Sequence, residues 1–579
     1  MAEAHDADPL PDPLRTALAP ADDRVRLSHW LPPRTGIAPQ IRIGGRWFSL
    51  LWLLPAGALL LLVSVALGLR LRHLPAAEEF LLRYPGSSSS AMLPADAGFP
   101  WWLRWQHFFN LFFLIFIVRS GLQILADHPR LYWNVHCTPG TEWFRFQREV
   151  PRDRVWTAKD DAVTIPGWLG LPGIRHSIGL ARWWHFSFDL FWVVNGVLFY
   201  LLLFLTPQWR RIVPVSWDVF PNALSALLQY LSLQFPANEG WTRYNSLQQL
   251  ACFLTVFLAA PIAVVTGLLQ APAIANRIAW LRFLGNRQLA RSVHFLVLCW
   301  FLLFIVLHVA MVFLTGARAN LNHMFAGRDG TSPEGLLLFG GAAVLLAAAW
   351  LRASPWTLRH ARLVQKAGAL LLGRLLSLGE SIPPRIQYTE KDISPFFWPN
   401  GKLPKSEEFE RLVRENFASY RLRIDGLVEH PRDFSLSELR AMPKQEQITN
   451  QFCIQGWSGI AKWGGVPMRH ILEIVRPKPE ARYAAFYSFG EGTERGLYYD
   501  VHTIEHLRHE LTLLAYEMNG APVSVLHGAP LRLRCENELG FKQVKWIAAI
   551  EFLSDFRRLG AGHGGYNEDH EFFGYRAPI

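Results

Sequence analysis

Up to about residue 352 the chain is written in long apolar runs separated by short polar, arginine-bearing stretches. The runs cover Phe48 to Leu69, Trp102 to Leu125, Trp183 to Leu205, Leu247 to Leu269, Arg291 to Thr315 and Gly335 to Leu351. A bilayer core needs roughly 20 apolar residues per helical crossing, so the pattern predicts about six transmembrane helices. DVFPNALSALLQYLSLQF, between the third and fourth runs, is too broken by Pro and Asn to span and reads as an interfacial helix. RLVQKAGALLLGRLLSLG, after the sixth, carries Arg362, Lys366 and Arg374 and reads as lying on the membrane surface. From Tyr420 the pattern shortens into β-rich pieces, YRLRIDGLV, ARYAAFYSF, LRLRCEN and KWIAAIEFL, between turns and short helices. That is an α+β domain.

The fifth run changes the picture, because RSVHFLVLCWFLLFIVLHVAMVFLT carries two imidazoles, His294 and His308. Their separation, 308 minus 294, is 14 positions. At about 100° and 1.5 Å per residue this puts both rings on one face, roughly 21 Å apart along the helix. Two polar residues that merely face neighbouring helices are the plainer reading of such a pair. Register, and the histidines opening two other runs, favour bis-histidine haem ligation. His107 opens the second run and His185 the third, so they lie at opposite membrane faces. Alternating direction then pairs His107 with His308 and His185 with His294. It also puts the C-terminal domain on the His185 and His294 face.

Composition agrees with a membrane protein bearing a soluble tail: 51% hydrophobic residues with 24 Trp and 39 Phe exceed what a soluble chain of this kind carries. A net charge of +11 could suggest nucleic acid, but the arginines sit beside apolar runs. Arg130, Arg145, Arg148, Arg152, Arg154, Arg277, Arg282, Arg287 and Arg291 flank the tail-bearing face, against a thinner set on the other. The positive-inside rule therefore predicts a cytoplasmic tail on a bacterial inner membrane protein. The start, MAEAHDADPLPDPLRTALAPADD, is acidic and Pro-rich without the order of a signal peptide, and reads as a disordered leader. Five cysteines form no CxxC pair, and neither a GxGxxG loop nor a P-loop is present. The expected organisation is a leader over 1–46, a membrane domain over 47–352, a surface helix and linker over 353–389, and the α+β domain over 390–579.

RWQHFFN, RWWHFSFD and the helix with two histidines fourteen apart resemble the dihaem cytochrome b subunits of formate dehydrogenases, nickel hydrogenases and thiosulfate reductases. The resemblance implies two b haems carrying electrons between a quinone and a partner enzyme. In the tail, composition alone leaves Cys453 as a buried structural cysteine or something more. SPFFWPNG, YRLRIDGLVEHP, FCIQGWS followed by KWGGVPM, LLAYEMNGAPV and HGAPLRLRCENELGFKQVKWI resemble the sulfite oxidase superfamily. Their layout is similar to the molybdopterin-dependent methionine sulfoxide reductase subunits. This implies that Cys453 is the protein ligand of molybdenum, a task suited to a soft thiolate. It implies further that Asn400, Ser488, His527, Arg532, Gln543, Val544 and Lys545 hold the molybdopterin. Trp457, Tyr498 and Tyr499 are expected at the substrate pocket, and Cys535 in the core. The expected function joins quinone, two haems and molybdopterin in reduction of an S-oxide or N-oxide. Sulfite-type oxidation with electrons delivered to quinone is the alternative, and a haem protein with a non-catalytic docking domain is the alternative of another class.

Overall fold

In the computed structural model, residues 38–579 are described apart from 89–92, 95–97, 147–148, 236–239, 273–285, 379–386, 493–495 and 578–579. Arg148, Arg277, Arg282 and most of the expected leader lie outside the described residues. Among those described, six helices are long and apolar enough to cross a membrane. They are α1 Leu50–Leu71, α2 Trp101–Asp127, α3 Ile178–Leu205, α4 Ser246–Leu269, α5 Arg287–Leu314 and α6 Glu334–Arg359. Each coincides with one of the apolar runs to within a few residues at either end, apart from the longer C-terminal extension of α6 to Arg359. Their outward faces expose Leu59, Leu198, Leu303, Val306 and Leu345, as lipid contact requires. A helix buries its backbone groups internally, so these faces need no polar partner.

Aromatic side chains lock α2 against α3: Phe116 and Phe188 have ring centres 4.8 Å apart, and Trp184 stacks on Phe116 at 5.4 Å. One π-helical stretch, Leu254–Ala259, interrupts α4. The segment expected to be interfacial forms a separate helix, Val219–Leu231. After α6 comes α7, Ala361–Leu378. It does not lie free on the membrane surface. Gly368 lets it pack closely on Trp183 of α3, and Arg362 donates to the carbonyls of Glu568 and Asp569 in the tail.

Residues 40–46, expected to belong to the leader, are part of a hairpin instead. Strands β1 (Gln40–Ile43) and β2 (Arg46–Ser49) pair as a hairpin across Gly44 and Gly45, both at positive φ. A two-glycine turn between short apolar stretches is a hairpin signal. The hairpin joins β3 (Arg130–Leu131) and β4 (Phe144–Arg145) in the order β2-β1-β4-β3, on the face where α2 ends and α5 begins.

The tail contains two sheets. One runs β10-β9-β14-β5-β6, built from β5 (Arg421–Gly426), β6 (Arg432–Ser435), β9 (Tyr483–Glu491), β10 (Leu497–Thr503) and β14 (Ile547–Leu553). The other runs β12-β11-β8-β7, from β7 (Gln445–Phe452), β8 (Ser458–Pro467), β11 (Thr512–Met518) and β12 (Ala521–Pro522). Strand β13 (Arg532–Cys535) pairs with β11. Leu422, Phe486, Leu514, Leu533, Cys535 and Ile550 meet in one core between them. The turn between β7 and β8, residues 453–457, therefore stands at the end of a rigid hairpin.

Candidate molybdenum and haem sites

Cys453 opens that turn. Its backbone N–H donates to the Trp457 carbonyl at 3.0 Å, and Gly456 N–H donates back to the Cys453 carbonyl at 3.1 Å. Gly456 takes φ +110°, and a β-carbon there would stand 2.9 Å from the Arg291 guanidinium carbon. Only glycine accommodates both constraints. The thiol is 1% exposed, and burial pushes it up to about 12. Asn400 Nδ2 points at the sulphur from 3.8 Å, and the thiol faces Gln455 Oε1 at 3.7 Å.

Beside this turn lies a cleft, walled by Ile454 and Gln455 of the turn itself. Asn400, Ser488, His527, Arg532, Gln543, Lys545 and Tyr498 all line it. Arg532 Nε and Gln543 Oε1 are buried there without a hydrogen-bond partner. Arg532 and Lys545 form no ion pair among the described residues. Burial pushes both well below their ordinary values, with Arg534 adding to the effect on Arg532 and Arg532 to that on Lys545. Two desolvated cations and two orphaned polar atoms around a cleft call for an anion with further polar edges. A pterin with a phosphate has that chemistry, and a soft thiolate next to it suits molybdenum, so the residues fit the cofactor.

Other expected contacts are already engaged. Burial holds His527 down at about 4, and its ring meets Ser524 Oγ through Nδ1 at 2.8 Å and the Phe397 carbonyl through Nε2 at 3.1 Å. Ser488 donates to the Lys545 carbonyl and accepts from Gly490 N–H. Val544 points into the core and does not line the cleft, which leaves its backbone N–H as its only means of contact. Tyr498 lines the cleft, yet its hydroxyl donates to the Phe541 carbonyl and accepts from Asn567 Nδ2. Trp457 and Tyr499 are corrections: both are fully buried and absent from the cleft wall. Trp457 packs edge-on against Phe397 under the cysteine turn, and Tyr499 hydrogen-bonds Asp569. Strand alternation turns Tyr499 to the opposite side from Tyr498.

Sequence reasoning missed one wall entirely. Asp127 at the end of α2, Lys159, His176 and Ile178 before and in α3, and Glu571 and Phe573 of the last segment line the cleft. No local motif marks them, since they converge only when the two halves dock. Docking itself runs through the cysteine turn. Arg287 of α5 donates to the Cys453 carbonyl at 3.0 Å, and Gln288 to the Gly456 carbonyl at 3.0 Å and Ser458 Oγ at 3.1 Å. Gln455 reaches back to the Asp127 and Ala158 carbonyls, each at 3.4 Å.

In the membrane half, His107 faces His308 with ring centres 6.1 Å apart, and His185 faces His294 at 6.4 Å. Two metal–imidazole bonds of about 2 Å each, plus half of each ring, span about 6 Å. His185 Nδ1 lies 3.1 Å from the Ile117 carbonyl, which only a protonated nitrogen can satisfy. His294 Nδ1 lies 3.0 Å from Thr266 Oγ1, whose own proton goes to the Ile262 carbonyl. Both rings are thus held with Nε2 as the lone-pair nitrogen, the arrangement a metal-ligating histidine needs. Asp189 Oδ2 stands 3.5 Å from Nε2 of His185, one helical turn on. Gly121 and Gly267 face the two rings, and a β-carbon at Gly121 would press on His185 at 3.1 Å. The donors fit haem iron.

Fold and sites together define a multi-pass membrane cytochrome b carrying a molybdopterin-dependent oxidoreductase domain. Residues 98–327 match the family described as prokaryotic cytochrome b561, and residues 410–558 match the oxidoreductase molybdopterin binding domain. The chain is 30% identical over 210 residues to the protein-methionine-sulfoxide reductase catalytic subunit MsrP of Campylobacter jejuni, covering 33% of this chain and 71% of that one. The chain belongs to the sulfite oxidase superfamily of molybdopterin oxidoreductases, fused to a cytochrome b membrane domain. A provisionally named protein-methionine-sulfoxide reductase subunit, YedZ1 of Azospira oryzae, is 33% identical over 161 residues, 28% of this chain and 57% of that subunit. The chain thus spans little more than half the length of that relative. Among solved structures, the sulfane dehydrogenase SoxCD of Paracoccus pantotrophus matches with 23% identity and a TM-score of 0.22, covering 24% of this chain and 39% of that one.

Proposed function

We propose that this protein draws electrons from membrane quinol through two b haems to a molybdenum centre ligated by Cys453, and there reduces an S-oxide or N-oxide. The observation that carries the reading is the docking of the cysteine turn onto α5. Gln288 bonds Gly456, and six residues further along the same helix stands His294. Six residues are about 9 Å of helical rise, so the thiolate turn and the proximal imidazole share one rigid element.

Arg532, Lys545, Gln543 and the Val544 N–H would hold the pterin and its phosphate, with Asn400 beside the sulphur. When bound, the group supplies two-electron oxygen-atom chemistry that side chains lack. The chain's residues do the rest: Ser120, Thr266 and the Ile117 carbonyl fix the imidazoles, and the buried turn keeps bulk water from the sulphur. Reduction, rather than oxidation, is supported by the reductase names of the relatives.

The test is a spectrum. Haem reduced by dithionite in the purified chain, after the excess is removed, should reoxidise on adding dimethyl sulfoxide, methionine sulfoxide or trimethylamine N-oxide. Cys453→Ser should abolish that reoxidation while leaving the haem bands in place. Reduction of the oxidised haem by sulfite would select the reverse direction instead.

A further inference from the structure

The active-site cleft is closed on one side by the membrane half of the same chain, and this bears on which oxides can reach it. Resting on the oxide-reduction reading above, we infer that the substrate is a small, freely diffusing S-oxide or N-oxide and that methionine sulfoxide held in a protein chain is excluded.

The closing wall is built, not incidental. Lys159 sits on a short helix, Ala158–Asp161, whose Thr157 and Asp160 form a reciprocal cap. The Ala158 N–H donates to the Pro399 carbonyl at 2.9 Å, next to Asn400, and Gln455 beside the ligand cysteine reaches the Ala158 carbonyl. Lys159 crosses the cleft to Glu571 at 2.9 Å, and Arg175 holds the Lys159 carbonyl at 3.1 Å. Asp127 and His176, both buried, fill the space behind, with His176 Nδ1 3.9 Å from Asp127 Oδ1. Among the described residues of the lining, only Lys402 and Glu491 are exposed, so the described part of the mouth lies beside them. Lys402 further spans that mouth to the Gly492 carbonyl at 3.4 Å.

A sulfoxide in a polypeptide must bring backbone along on both sides, which needs an open trench. A cleft strapped by Lys159–Glu571 and by Lys402–Gly492 offers a hole. Breaking the straps would mean separating a largely buried ion pair and undocking a helix held by three elements. Reduction takes two electrons, supplied by quinol through the haems, and two protons. The R₂S=O bond breaks, R₂S leaves and the oxygen departs as water.

The experiment uses the full-length chain in detergent or nanodiscs, with its haems pre-reduced. Reoxidation is followed with dimethyl sulfoxide, free methionine sulfoxide, a blocked tripeptide bearing methionine sulfoxide, and casein oxidised at its methionines. The expected result is a rate per sulfoxide that falls with size, by at least about 100-fold from dimethyl sulfoxide to casein. Oxidised casein reacting within a few-fold of free methionine sulfoxide overturns the inference while leaving the reduction reading intact. Failure of every oxide, in a sample whose haems still reoxidise with a soluble quinone, removes the reduction reading and the inference with it. In Lys159→Ala, which opens a strap at a partly exposed position, the tripeptide rate should rise several-fold relative to that for dimethyl sulfoxide. An unchanged ratio would show that the straps do not set the size limit, against the inference.

Discussion

Replacing Lys545 by methionine should have opposite effects on the empty and the loaded protein. Lys545 Nζ donates to the Leu526 carbonyl at 2.8 Å and lies 3.9 Å from the centre of the Trp546 ring, but no carboxylate among the described residues pairs with it. In the cofactor-free protein, burial and Arg532 depress its proton affinity. From that lowered value up to about 10.4 the unfolded chain holds a proton that the folded chain lacks, so this residue makes stability rise with pH across that window. Methionine removes the desolvated amine and the cation–π contact but keeps the volume. The apo protein should gain on the order of 1–4 kcal/mol near neutral pH and lose this part of its pH slope. With cofactor bound, the sign reverses. A charge-assisted contact to phosphate contributes about 1.5–3 kcal/mol, so retention should weaken roughly 10- to 150-fold. Thermal unfolding of protein made without molybdate reads the first effect, and molybdenum content after extensive dilution reads the second. Full metal retention together with a less stable apo variant would refute the assignment of Lys545 to the anion.

Other outcomes follow from the same geometry. If the two histidine pairs each hold one haem, as proposed, His294→Ala and His308→Ala should each halve the haem content per chain in a pyridine haemochrome assay. Thr266→Val removes the acceptor that orients His294 and should weaken retention of that haem by about 10- to 100-fold and shift its midpoint potential, whereas Thr266→Ser should restore both. Gln288→Ala should slow reoxidation of reduced haem by substrate while sparing oxide reduction driven by reduced viologen, since it loosens the joint between the halves and leaves the cleft in place.

The helices were legible because a bilayer imposes one requirement, length of apolar run, and because two imidazoles in one such run have few other uses. The histidine partners also followed, since alternation of direction leaves a single assignment. Asn400 and Arg532, each quoted from a contiguous motif, do line one cleft, and Asn400 stands beside the Cys453 sulphur. Trp457 and Tyr499 do not, and only the completed sheets show that they turn inward. Asp127, Lys159, His176 and Glu571 carry no motif at all. They are brought together across 444 positions, 571 minus 127, by packing between the halves.

The arginines show most plainly how docking changes a sequence argument. Counted along the chain they favour one face and so orient the protein. In the structure Arg130 is buried between Asp161 and Glu142, Arg145 is buried beside Glu142, and Arg287 and Arg291 are buried against the cysteine turn. These charges satisfy carbonyls and carboxylates at the joint between the two halves. A positive charge already committed to such an interface exerts little further pull toward one membrane side, so four of the nine counted arginines carry less weight in that argument, whereas Arg152 and Arg154 remain exposed. What those four mark instead is the joint itself. Arginine suits that place because its fork reaches two acceptors at once, as Arg130 does with the two carboxylate oxygens of Asp161, through Nε at 2.8 Å and Nη2 at 2.9 Å. Joining the halves covalently keeps that joint at high effective concentration, so the Cys453 turn can rest on the helix that carries His294 without the large apolar interface that separate subunits would require.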